Sequence, residues 1–142
     1  MRDTDVEVEG SMPRTVNDKE LSAVTPLTDP DRYSYLIKEV AGAESLWSLG
    51  DASGWVLMSD DQGRELVPIW PHERYAEACA TGIWADAVPR RIELLKWMED
   101  WLPGLVRDGR QVAAFPTPEN KGVVVSSSRM RNDLEEELLN YG

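Results

Sequence analysis

The sequence holds one histidine, one cysteine and one phenylalanine in 142 residues. A lone cysteine closes no internal disulfide, so nothing ties the chain to an oxidising compartment. One histidine and one cysteine leave mainly carboxylates for metal ligation, and no spaced cluster of ligands stands out, so no metal or other cofactor is expected. Bases are scarce as well: 15 Lys and Arg stand against 26 Asp and Glu, a formal charge of −11. A field of that sign repels nucleic-acid phosphates and anionic lipid and attracts basic partners. No apolar run approaches membrane-spanning length, and the N-terminus lacks an apolar signal core. The expectation is a cytoplasmic protein that binds neither nucleic acid nor membrane.

Tryptophan is abundant by contrast. Six Trp beside a single Phe in a chain of this length predict one domain with a Trp-rich core. Residues 1–28 are polar, acidic and without a sustained period, which predicts a flexible arm. Residues 29–142 then form the domain. Residues 31–142 carry −7 of the charge, so the acid excess belongs to the domain as well as to the arm.

The domain opens with a helix. Asp29 offers a cap, Pro30 suits a first turn, and Tyr33, Leu36, Ile37 and Val40 recur at helical spacing up to a stop at Gly42. Three apolar stretches, residues 45–51, 54–60 and 64–71, are separated by Asp-Ala-Ser-Gly and Asp-Asp-Gln-Gly, both good turn chemistry. They predict a three-stranded meander, with Pro68 placing the third strand at an edge or a bulge. Residues 88–109 read as the longest helix, with Pro89 in its first turn. Leu94, Trp97, Met98, Trp101 and Leu105 form its core stripe, and Pro103 kinks or restarts it. Residues 110–116 and 122–128 predict a hairpin, and Ser127 or Ser128 caps a last helix that buries Met130, Leu134 and Leu138. The class is α+β: a single antiparallel sheet of about five strands packed with three to four helices.

His72 and Cys79 invite a reading as base and nucleophile. Both fall on the short helix after Pro71, two turns apart, about 10 Å along its axis. That exceeds hydrogen-bond reach, and no third group orients the pair. Cys79 is expected to be a small core residue and His72 a polar residue at a helix start. No catalytic residue is assigned.

Seven separated elements carry a family resemblance. They are Leu46-Trp47, Gly54-Trp55, Pro68-Ile69-Trp70-Pro71, the stretch from Ala80 to Trp84, Trp101 to Leu105 with Asp108-Gly109, Phe115-Pro116, and Val123 to Val125. Over roughly residues 32–140 the chain resembles a bacterial family, domain of unknown function 2750, with Ile69 where the family pattern has Val. The resemblance implies a small α+β domain and brings no activity, catalytic residue or cofactor with it.

Two functional readings are open. The first is a non-catalytic acidic protein-binding domain, in its sharpest form an immunity protein that neutralises a toxin by binding its basic domain. Its contact residues are expected among Asp60, Asp61 and Glu65, the aromatics Trp70 and Trp84, and Glu135, Glu136 and Glu137. The alternative is a small enzyme or accessory subunit that uses carboxylates in a Trp-lined cleft.

Overall fold

The computed structural model describes residues 15–140, so half of the expected arm lies outside the described residues. The other half is not featureless. Helix α1 (Asp18–Val24) follows an Asn17 cap whose side chain accepts from the Glu20 N–H, and Val16 and Val24 at its two ends are buried. Arg74 donates to the Val16 carbonyl at 3.0 Å and fastens the segment to the domain. Val16 and Val24, with Leu21 packed against the core between them, are too few apolar residues to produce a readable period.

Helix α2 (Asp29–Ala43) buries Tyr33, Leu36, Ile37 and Val40 as the spacing predicts. Its cap is Thr28 rather than Asp29, and it runs past Gly42 to a left-handed Glu44. Strand β1 (Ser45–Asp51) turns into β2 (Gly54–Trp55). The next pieces are β3 (Met58–Ser59) and β4 (Glu65–Ile69). The expected second strand therefore breaks in two, and the halves join different sheets.

One sheet has the order β2-β1-β5, the other β3-β4-β6-β7. The expected single antiparallel sheet is thus two sheets, and β4 pairs with β6 in parallel. The chain between those strands passes through α3 (Glu73–Ala78), β5 (Val88–Glu93) and a long helix, a crossover of the length a parallel pair requires. A lone antiparallel bridge, Trp47 to Trp70, links the sheets.

Pro68 sits in β4, an inner strand, not at an edge. Phe115 N–H donates to the Ile69 carbonyl on the β6 side, so Pro68 faces the other way. There β3 has already ended, and the Pro68 carbonyl accepts from the Ser48 hydroxyl at 2.6 Å. The proline occupies the one side of the strand where no donor is needed.

The largest correction concerns Val88–Glu93, which is strand β5 along β1 rather than the start of a helix. Leu49 spends its carbonyl on Val56, so the Leu49–Pro89 pair is not hydrogen-bonded and the missing proline donor faces the open edge. The helix begins at once afterwards: α4 (Leu94–Lys96), a π-helical turn (Trp97–Trp101) and α5 (Leu102–Asp108). Pro103 lies just behind the π turn. In that wider register its absent N–H would have met the Met98 carbonyl, and the Arg131 guanidinium fills the place.

Strands β6 (Gln111–Ala114) and β7 (Val123–Val125) form the expected hairpin. Helix α6 (Ser127–Leu139) buries Met130 and Leu134, and Ser126, not Ser127 or Ser128, caps it by accepting from Arg129 N–H at 3.1 Å. Trp70, Trp97, Phe115, Leu36, Leu46 and Ile69 are fully buried at the centre.

Candidate functional site

The residues between β2 and β3 alternate. Val56 is buried and its N–H bonds to the Leu49 carbonyl, so Trp55 and Leu57 on either side point outward, 39% and 37% exposed. Trp55 meets Trp101 edge to face, 87° apart with centroids 4.7 Å apart. The expectation that Trp101 is core is corrected by this contact: the ring is half-buried. Trp97 and Trp101 are four residues apart across the π turn and keep to one side of the helix. Trp97 stays inside, and Trp101 leans on it at 5.5 Å while reaching the surface.

Trp55 and Trp101 wall a cleft of ≈ 500 Å³ over Val67 and Leu105, with Asp100 and Asp108 at its rim. Leu57 lines this cleft and also a second one, of ≈ 650 Å³, together with Met58, Ile83 and Trp84. The loop Pro116 to Lys121 forms the far side of the second cleft. Ile83 stands on the 3-10 turn Gly82–Trp84 and is 94% exposed. Trp101, Trp55, Leu57, Ile83 and Trp84 therefore compose one apolar face across both clefts. Separate exposed apolar residues are ordinary, whereas a connected set with a polar rim marks an interaction surface.

The expected contact residues distribute unevenly around this face. Trp84 is half-buried and lines the second cleft. Trp70 is fully buried, its Nε1 donating to the Pro116 carbonyl at 2.8 Å, so no partner can touch it. Asp60 is committed to its own turn: its carboxylate accepts from Gln62 N–H, Arg64 N–H and the Arg64 guanidinium. Slight desolvation pulls its pKa up, but these hydrogen bonds prevail and hold it below the usual carboxylate range. Asp61 is exposed, 3.4 Å from Lys121, and Glu65 pairs with Arg110 at 2.8 Å. Lys121 and Arg110 each line one of the two clefts, so Asp61 and Glu65 flank the apolar face. Glu135, Glu136 and Glu137 lie elsewhere on α6: Glu135 is within 4.0 Å of Arg131, and the other two line a cleft between α2 and α6. Trp55, Leu57, Ile83 and Trp101 are not predicted as surface residues by the sequence. Their only local signals are Gly54 before Trp55 and the Thr81-Gly82 pair before Ile83.

His72 and Cys79 have different partners. His72 occupies the N-cap position of α3 without a capping hydrogen bond, is fully buried, and sets Nε2 2.7 Å from Glu39 Oε1. Close by, the Tyr35 hydroxyl donates to Glu20 at 2.6 Å and lies 3.0 Å from the Tyr75 hydroxyl. Burial, with the Glu20 hydrogen bond next, raises the Tyr35 pKa above its ordinary value. These side chains lock α1, α2 and α3 together. Cys79 sits at the floor of the second cleft and donates weakly to the Pro116 carbonyl at 3.5 Å. Burial pushes its thiol up to about 11, which keeps it protonated and a poor nucleophile near neutrality. Among the described residues, no three of His, Cys, Asp and Glu are placed to hold a metal ion, and no helix is long and apolar enough to cross a membrane.

The profile of the family described as "Protein of unknown function (DUF2750)" matches residues 33–134. The chain belongs to that family. The matched span contains every residue that lines the two clefts sharing Leu57, while α1 and the end of α6 lie outside it. No curated protein and no solved structure matches the chain. Membership in DUF2750 thus brings no assigned chemistry, and the site must be read from its own geometry.

Proposed function

We propose that this chain is a non-catalytic, acidic protein-binding domain that docks a basic partner on the face running from Trp101 through Leu57 to Trp84. The observation that carries this reading is Leu57, exposed and shared by two adjoining clefts, between an exposed Trp55 and an almost fully exposed Ile83. Aromatic anchors surrounded by polar rim residues are what protein interfaces use for binding energy. The charge of −11 adds long-range attraction for a basic partner and speeds its arrival. A toxin domain neutralised by direct binding is the sharpest form of the proposal, and an immunity role is its biological content.

Where a neighbouring gene encodes a basic toxic domain, the test is coexpression with it. Cells should survive with the wild-type protein, and protection should fail with Ile83→Asp or Trp55→Ser although circular dichroism shows both variants folded. Undiminished toxicity beside excess folded wild-type protein would remove the immunity role. Full protection by both variants would move the interface away from this face.

A further inference from the structure

The cleft between Trp55 and Trp101 has a feature that the neighbouring cleft lacks. Asp100, Gly104 and Asp108 recur at four-residue intervals on the helix, and all three line it. That spacing sets them along one side, with the two carboxylates about 12 Å apart along the axis. Gly104 between them has no side chain, and the Arg107 guanidinium is the nearest group, 3.3 Å from where a Cβ would stand.

We infer that this cleft seats a cationic side chain, arginine or lysine, of the protein partner; the inference rests on the protein-binding reading above. Two indole rings at right angles supply aromatic surface for a cation, and Val67 and Leu105 supply a floor for its aliphatic stem. Trp55 already attracts such a group. The exposed Arg90 guanidinium lies 5.6 Å from the centre of its ring. The carboxylates at the rim have partners of their own: Lys96 is 3.0 Å from Asp100, and Arg110 is 3.5 Å from Asp108. Both are solvent-exposed surface pairs, which hold long side chains weakly, and Arg110 keeps its 2.8 Å pair with Glu65 when Asp108 changes partner. An incoming cation can therefore pair with one of the two acids, Asp100 or Asp108, with the other adding attraction at longer range, while its stem displaces water from the apolar cleft. The charge of the domain favours the same occupant and disfavours an acidic one.

The experiment titrates the full chain with the capped tripeptide acetyl-Gly-Arg-Gly-amide, with a second peptide that has norleucine in place of arginine, and reads the indole N–H resonances by heteronuclear NMR. The arginine peptide should shift the Trp55 and Trp101 signals saturably, about fivefold more tightly than the norleucine peptide. Asp100→Asn with Asp108→Asn should remove that preference. Gly104→Leu should block both peptides while the remaining amide spectrum stays that of the folded domain. Equal binding of the two peptides, or no movement of these two signals, overturns the inference. If partner capture persists while the arginine peptide fails, the cation seat is wrong and protein binding stands. If the peptide binds and no partner is captured, the protein-binding reading is the one that fails.

Discussion

Trp47 and Trp70 exchange two backbone hydrogen bonds, N–H to carbonyl in each direction and both 2.8 Å long, and so join the two sheets. The Trp70 ring extends the same joint by donating to the Pro116 carbonyl, behind the second cleft. Trp70→Ala should cost about 3–5 kcal/mol through lost burial and the cavity left behind. Trp70→Phe keeps most of the burial and gives up the hydrogen bond, leaving a buried carbonyl short of a donor, for about 1–3 kcal/mol. Chemical denaturation of both variants measures the difference. A midpoint like wild type for Trp70→Ala would contradict the joint.

Trp97 and Trp101 should separate in stability although both sit on the apolar side of one helix. Trp97→Ala removes a fully buried ring and should cost about 3–5 kcal/mol. Trp101 is half-buried, and Trp101→Ala should cost less, about 1–3 kcal/mol, through its contacts with Trp55 and Trp97. Equal losses in urea unfolding would mean that Trp101 contributes to the core as fully as Trp97.

Cys79 should resist alkylation. With the thiol pushed up to about 11 by burial, the thiolate is scarce at pH 8, and iodoacetamide should label the native protein far more slowly than the denatured one. The raised value also means that the fold retains this proton more tightly than the unfolded chain does. Its contribution is present below the ordinary thiol value of 9.0 and is lost as pH rises from there through about 11. His72→Ala should lower stability, since Glu39 loses its imidazole partner, yet leave partner binding unchanged. Loss of binding with the fold intact would restore a functional role for His72.

Gly122 closes the β6–β7 turn with φ of +86°, and a Cβ there would stand 2.7 Å from the Ala114 carbonyl oxygen. Gly122→Ala should therefore cost about 2–4 kcal/mol, from backbone strain together with a contact that only main-chain movement can relieve. A thermal melt shows it directly, and an unchanged Tm would mean that the turn rearranges freely.

Charge reversal should discriminate between the acid clusters. Lysine at both Asp61 and Glu65, which flank the apolar face, should slow partner association more than lysine at Glu136 and Glu137 on α6. For the wild-type protein, association should slow several-fold from low to high salt, while dissociation changes less. Surface plasmon resonance separates the two rates. Equal effects at the two clusters would place the interface elsewhere.

Much of this protein is legible where neighbours in sequence are neighbours in space. Tyr33, Leu36, Ile37 and Val40 on α2, and Met130 and Leu134 on α6, bury as their spacing predicts, because a helix satisfies its backbone within itself. Pro71 before α3 and the two Asp-Gly turns are legible for the same local reason. The acid excess and the DUF2750 pattern are also properties of the one-dimensional chain.

Tertiary structure alone decided the rest. Val88–Glu93 is a strand because β1 offers it a partner edge and Pro89 can sit in a non-hydrogen-bonded position there, facts about a segment some forty residues earlier. The meander split into two sheets because the buried Val56 stays with β1 while Met58 and Ser59 pair with β4. The candidate face arose in the same way. Trp55, Leu57, Ile83 and Trp101 are as apolar as their buried counterparts, and nothing in composition sets them apart. They lie outside because the pleat beside Val56, the 3-10 turn at Gly82 and the position of Trp101 at the edge of the helix's buried side put them there, and the direction of a side chain belongs to the folded backbone rather than to the residue type.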